Sequence, residues 1–174
     1  MEIAQAVSRA VARPGVETSI VPEAAPAPGA EHPILQHART ARGALAYAGD
    51  VTPLEAAELI AAAVARLVDV RTPEERKFVG FVPDSVGVAW MTGTSMVRNP
   101  RFVRELEARV RKDEALLFLC RSGNRSAAAA EAAARAGFRA AFRVLEGFEG
   151  DLDAGGHRGT SSGWRFRGLP WKQE

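Results

Sequence analysis

The sequence predicts an α/β domain with a mostly parallel central sheet flanked by helices, on three observations. Short apolar runs alternate with segments of helical spacing. Two of those runs stop abruptly at a polar residue, Asp69 and Cys120, as strands do where a parallel sheet opens onto a site. Threonine, proline and glycine punctuate the chain where helices should begin and end.

Taken in order, residues 1–32 read as a flexible or weakly helical N-terminal extension. Pro22, Pro26, Pro28 and Pro33 among alanines and glutamates give a linker composition, while Ile3, Ala6, Val7, Ala10 and Val11 have helical spacing. A short docking helix and a frayed tail both fit that opening. The domain proper is expected over 33–150 and begins with a leading helix over 34–47, carried by Ile34, Leu35, Ala38, Ala41 and Leu45. Thr52, Pro53 and Glu55 then stand as N-cap, first helical residue and third, opening a helix that should run to about Ala63. Ala65-Arg66-Leu67-Val68-Asp69-Val70 reads as a strand, and Thr72-Pro73-Glu74-Glu75 starts another helix by the same capping logic.

A strand over 85–90 follows a Gly/Pro-punctuated turn, and Phe102, Val103, Leu106 and Val110 space an amphipathic helix over about 100–111. Ala115-Leu116-Leu117-Phe118-Leu119 is apolar throughout and lacks helical spacing, as a strand buried on both faces does. The alanine-rich stretch 126–136 is built from the best helix formers, with Gly137 as its stop. Phe142-Arg143-Val144-Leu145 is a last short strand, cut off by Gly147. Beyond Gly150 the chain turns to glycine, serine and arginine, with Trp164, Phe166 and Trp171 among them. Residues 151–174 are expected as an irregular tail pinned by those rings on the domain, a lid or brace.

Composition narrows the function classes. A sequence pI near 9.1 invites a nucleic-acid reading, but 23 basic residues face 21 acidic ones and no basic run is interleaved with aromatics. No nucleic-acid partner is expected. One cysteine excludes an intramolecular disulfide framework and points to a reducing compartment. The opening residues lack a basic region and an apolar core like those of a secretory signal, and no run approaches the roughly 18 apolar residues of a membrane span. The expected location is therefore the cytoplasm, with no membrane partner. His32, His37 and His157 lack metal-ligand spacing, so neither a metal nor a cofactor is expected.

Cys120 is the candidate nucleophile. It heads Cys120-Arg121-Ser122-Gly123-Asn124-Arg125-Ser126, between a strand and a helix, where loop amides and the helix dipole converge on an anion. Thiolate is the reactive form of cysteine, and helix N-termini and nearby arginines favour it. Arg121 and Arg125 add cations, while Ser122, Gly123, Asn124 and Ser126 keep the loop small enough to curl around a bound group. The plain alternative is a structural cysteine that happens to end a strand. With no second cysteine to resolve it, a covalent intermediate on Cys120 must be discharged by an external nucleophile.

Together with Leu67-Val68-Asp69-Val70-Arg71-Thr72-Pro73-Glu74-Glu75, Phe78-Val79-Gly80-Phe81-Val82-Pro83 and Val144-Leu145-Glu146-Gly147-Phe148, the cysteine loop resembles a rhodanese domain. The likeness covers about residues 50–150, and the ending 164–171 resembles some single-domain members. The resemblance implies a sulfurtransferase. Cys120 would take the outer sulfur of a small anionic donor such as thiosulfate, become a persulfide and pass the sulfur to a thiol, cyanide or a protein acceptor. Residues 121–126 would bind the substrate.

The phosphatase and arsenate chemistries of the same fold use a cradle longer by one residue. Here four residues separate Cys120 from Arg125, which resembles the shorter sulfur loop. A delivery module with little thiosulfate turnover is the other reading, its partners chosen by the extension or the tail. Asp69 and Arg71 are expected to support the loop as a buried ion pair rather than to touch substrate. Arg76, Trp90 and Trp164 read as a surface charge and core aromatics rather than pocket walls. Phe81 stands where many family members have histidine; since that position commonly contributes to packing near the second helix, little chemical loss is expected, though hydrogen bonding around Asp69 or Arg71 could change.

Overall fold

Five strands form a sheet in the order β1-β7-β6-β2-β3, with every neighbouring pair parallel. They are β1 (Gly49–Val51), β2 (Arg66–Asp69), β3 (Val86–Gly87), β6 (Leu116–Leu119) and β7 (Ala141–Val144), and a separate antiparallel hairpin comprises β4 (Met91–Thr92) and β5 (Val97–Arg98). The helices are α1 (Pro33–Ala41), α2 (Pro53–Ala61), α3 (Pro73–Val79), α4 (Phe102–Glu107) and α5 (Asn124–Arg135). This computed structural model describes residues 31–173, so the extension read over 1–32 lies outside the described residues apart from its last two.

Local chemistry explains the helix starts. Thr52 Oγ1 accepts from Glu55 N at 3.3 Å while Glu55 Oε2 accepts from Thr52 N at 2.7 Å, a reciprocal capping box with proline in the first turn. Thr72 and Glu75 repeat it at α3, at 3.2 and 3.0 Å. The leading helix α1 ends at Ala41 rather than running to 47, because the chain turns at Gly43 with φ +54°. Tyr47 is thereby freed to pack in the core on the far side of the sheet from Leu35 and Ala38.

Strand β1 has no sequence signal, since Gly49 and Asp50 are poor strand formers. It forms because β7 pairs with it residue for residue and α1 lies on it. A Cβ on Gly49 would overlap the Ala38 carbonyl, so glycine sets how closely α1 approaches. The predicted strand over 85–90 pairs regularly only at Val86–Gly87. Val88 N and Trp90 N still donate to Asp69 O and Val70 O, each at 3.0 Å, before the chain leaves for the hairpin. α4 is shorter than the predicted 100–111, although Val110 N still reaches Leu106 O at 3.0 Å.

Both faces of the sheet are covered, which is why its middle strand, β6, is apolar throughout. In β6, Leu117 and Leu119 face a core shared with Leu59, Phe142, Phe148 and Trp164. Leu116, Phe118 and then Cys120 face the other, with Val68, Phe102, Ala129, Ala133 and Phe138. The tail passes over the first of these cores. Trp164 is fully buried and donates Nε1–H to Pro170 O at 2.8 Å, Trp171 meets Phe148 edge-on at 6.1 Å, and Phe81 exchanges backbone hydrogen bonds with Lys172 at 2.8 Å. Phe166 remains 45 % exposed. Among the described residues no helix is long and apolar enough to cross a membrane.

Candidate active site

Cys120 is the first residue past the C-terminal end of β6, and it is 1 % exposed. Three residues on, Gly123 takes φ +98° and caps α5, so the chain closes a tight turn around the sulfur. Gly123 N donates to Cys120 Sγ at 3.1 Å, the thiol lies 3.5 Å from Ser126 Oγ, and that hydroxyl donates to Gly123 O at 2.9 Å. The helix begins two residues earlier than its composition predicts, at Asn124 rather than Ser126. Asn124, Arg125 and Ser126 therefore belong to its first turn, where backbone N–H groups have no partner within the helix and the dipole is positive.

The back of the loop is held by the segment after β7. Phe148 N donates to Cys120 O at 2.8 Å and Glu149 N to Arg121 O at 2.9 Å, which occupies the loop carbonyls and leaves its donors for the concave side. Gly147, at φ +67°, makes this approach possible, because a Cβ there would stand 2.5 Å from Arg121 C and 2.6 Å from Cys120 O.

The two loop arginines differ. Arg121 is exposed. Arg125 is fixed by Glu75 through two hydrogen bonds, Nη1 to Oε2 at 2.7 Å and Nη2 to Oε1 at 2.6 Å, with only 12 % and 19 % of the two side chains exposed. Burial pushes the Glu75 carboxyl up, but hydrogen bonds from Arg125 and Thr72 N outweigh it and leave its pKa below the ordinary value. Burial pushes Arg125 down, and Glu75 outweighs it in turn, helped by the Cys120 sulfur, so the guanidinium is held in its charged form. Glu75 was legible in the sequence only as a helix cap; its pairing with a residue 50 positions away was not.

Asp69 and Arg71 are buried and bonded side by side, Nε to Oδ1 at 3.0 Å and Nη2 to Oδ2 at 2.7 Å. Arg71 also donates to Gly80 O at 2.8 Å and lies over the Phe148 ring at 4.0 Å, which ties β2 to the segment behind the cysteine loop. Arg76 shares Asp69 at 3.0 Å and lies over the ring of Phe81 at 5.3 Å. Trp90 is 6 % exposed, edge-on to Phe102 and under Arg98, and Trp164 is in the core.

Strand register adds a constellation the sequence did not reveal. Arg143 pairs with Phe118 across β6 and β7 and with Asp50 across β1 and β7, so all three side chains share the face to which Cys120 belongs. Arg143 donates to both Asp50 oxygens at 2.8 and 2.5 Å, and Tyr47 Oη donates to Oδ1 at 3.0 Å. Burial, with the Asp50 charge added to it, pushes the Tyr47 phenol up to about 12. The Cys120 sulfur contributes to holding Arg143 charged.

A parallel sheet that ends on a cysteine, and a tight turn that hands it to a helix N-terminus, define an α/β domain of the cysteine-loop type. The chain belongs to the rhodanese-like domain family, whose sequence profile matches residues 52–151. It is 48 % identical to Rv0390 from M. tuberculosis, whose crystal structure superposes with a TM-score of 0.68 over 74 % of this chain and 99 % of that one. The uncharacterized protein RP600 of Rickettsia prowazekii is 36 % identical over 108 residues, 61 % of this chain and 81 % of its own. The senescence-associated protein DIN1 of Raphanus sativus is 34 % identical over 95 residues, 53 % of this chain, and the chain spans only about half (51 %) of that relative's length.

Proposed function

We propose that the protein is a sulfurtransferase that carries a sulfane sulfur on Cys120. The observation that supports this most is the position of the sulfur itself, held against Gly123 N–H at 3.1 Å at the mouth of α5. In the first half-reaction the Cys120 thiolate attacks the outer sulfur of thiosulfate. A new S–S bond forms, the old one breaks with its electron pair leaving on sulfite, and Cys120 is left as a persulfide. In the second, an acceptor thiolate or cyanide attacks the terminal sulfur, and the thiolate of Cys120 departs.

Neither half requires a proton to be moved by a side chain, which suits a loop with amide donors and no histidine. The first-turn amides of α5 are placed to stabilise the terminal persulfide sulfur as charge develops on it. Arg125 favours sulfur over phosphoryl chemistry, because Glu75 already occupies two of its terminal N–H groups. Asp69 and Arg71 position the loop and do not touch the donor. The acceptor is a thiol, cyanide or a sulfur-accepting protein, and the cytoplasm, where a lone thiol stays reduced, is the compartment that suits the reaction.

Steady-state assay with thiosulfate and cyanide tests this reading. Stoichiometric sulfite and thiocyanate are expected from the wild type and neither from Cys120→Ser. Turnover retained by Cys120→Ser would overturn it.

A further inference from the structure

A cavity of about 670 Å³ opens at the free edge of the sheet, on β3, and none of residues 120–126 lines it. The edge backbone offers it donors. Val88 N and Trp90 N point inward to β2, so Gly87 and Ala89 face outward. Their carbonyls are already engaged, Gly87 O by Arg109 Nη1 and Ala89 O by Asn99 Nδ2 at 3.0 Å.

The side chains give the cavity its charge. Five cations line it, Arg71, Arg76, Lys77, Arg101 and Arg109, against one carboxylate, Glu105. Buried Asp69 offsets part of this by bonding Arg71 and Arg76. Toward solvent the excess remains: Arg101 is 76 % exposed and meets Glu105 only at 3.8 Å, Lys77 lies over the Phe78 ring, and Arg109 bonds a neutral carbonyl that leaves its charge in place. Arg71, whose side chain has no exposed surface, adds charge from behind the wall rather than a contact.

We propose that this cavity binds a small organic polyanion. Its phosphoryl or carboxylate groups are held by Lys77, Arg101 and Arg109 at the mouth. Pro73 and Phe81 give the same cavity an apolar wall, which suits the carbon frame of an organic ligand that bears such groups, and its volume falls in the range of small-molecule sites.

Calorimetric titration of the full chain with pyrophosphate and with tricarballylate, at low and high salt, tests the site. Saturable binding of at least one probe is expected, weaker at high salt, and weaker by roughly tenfold or more in the Arg101→Gln/Arg109→Gln double variant. Binding of pyrophosphate alone assigns a phosphoryl ligand, and binding of tricarballylate assigns a carboxylate one. Arg101→Gln by itself, at an exposed side chain, must show part of the loss with an unchanged unfolding midpoint. No binding of either probe, or wild-type binding in both variants, would overturn the proposal.

Discussion

Glu75 joins the start of α3 to the first turn of α5, so Glu75→Gln is the most informative single substitution. Glutamine keeps a side-chain oxygen that can accept from Thr72 N, now at 3.0 Å, but it removes the charge that faces Arg125 at 2.6 and 2.7 Å. Removing one partner of a fully buried ion pair costs about 3–5 kcal/mol. Because 12 % and 19 % of the two side chains stay in contact with water, which screens the charge left behind, about 2 kcal/mol is expected here. For a domain of this size that lowers the melting temperature by roughly 4–8 °C. Urea unfolding followed by far-ultraviolet circular dichroism measures it directly.

The effect depends on pH in a definite direction. The folded carboxyl has the lower pKa, so the unfolded chain binds more protons and the pair's contribution is present at neutral pH, above the unfolded value of about 4.3. It is lost as pH falls through the folded value, and the gap between wild type and Glu75→Gln should close there. A Glu75→Gln variant within about 0.5 kcal/mol of wild type at neutral pH would refute the reasoning, since that is the size of an ordinary surface change.

Other substitutions test other joints. Gly147→Ala should abolish sulfur transfer and destabilise the fold by at least about 2 kcal/mol, read from activity and urea unfolding, because its Cβ meets backbone atoms of the cysteine loop at 2.5 and 2.6 Å and its φ is +67°. Trp164→Ala should cost about 3–5 kcal/mol by the same unfolding assay, since it empties a fully buried site in the core. Asp69→Asn leaves buried Arg71 and half-buried Arg76 beside a neutral amide and should lower the unfolding midpoint by the equivalent of several kcal/mol, about 3 or more. A smaller loss than in Glu75→Gln would count against the buried pair as an anchor of the loop.

What the sequence made legible is what local chemistry decides. Thr52 and Thr72 announced their helices because a capping box needs only residues three apart, and the apolar run before Cys120 announced β6 because both sides of that strand are covered. The features that escaped depend on distant partners. β1 carries no strand-forming residues except Val51 and exists by pairing with β7; Arg143 reaches Asp50 across 93 positions; Arg125 reaches Glu75 across 50. The hairpin of β4 and β5 is made of two-residue strands, too short to show alternation. Even α5 began earlier than its composition suggests, because Gly123 and not the alanine run sets its first turn.

The central claim is that the sulfur at the mouth of α5 is a sulfane carrier. Intact mass of the protein after thiosulfate treatment, with and without dithiothreitol, tests it most directly. A gain of about 32 Da in the wild type, removed by dithiothreitol and absent from Cys120→Ser, is the predicted result for a persulfide on this residue. An unchanged wild-type mass, or the same gain in Cys120→Ser, would contradict it.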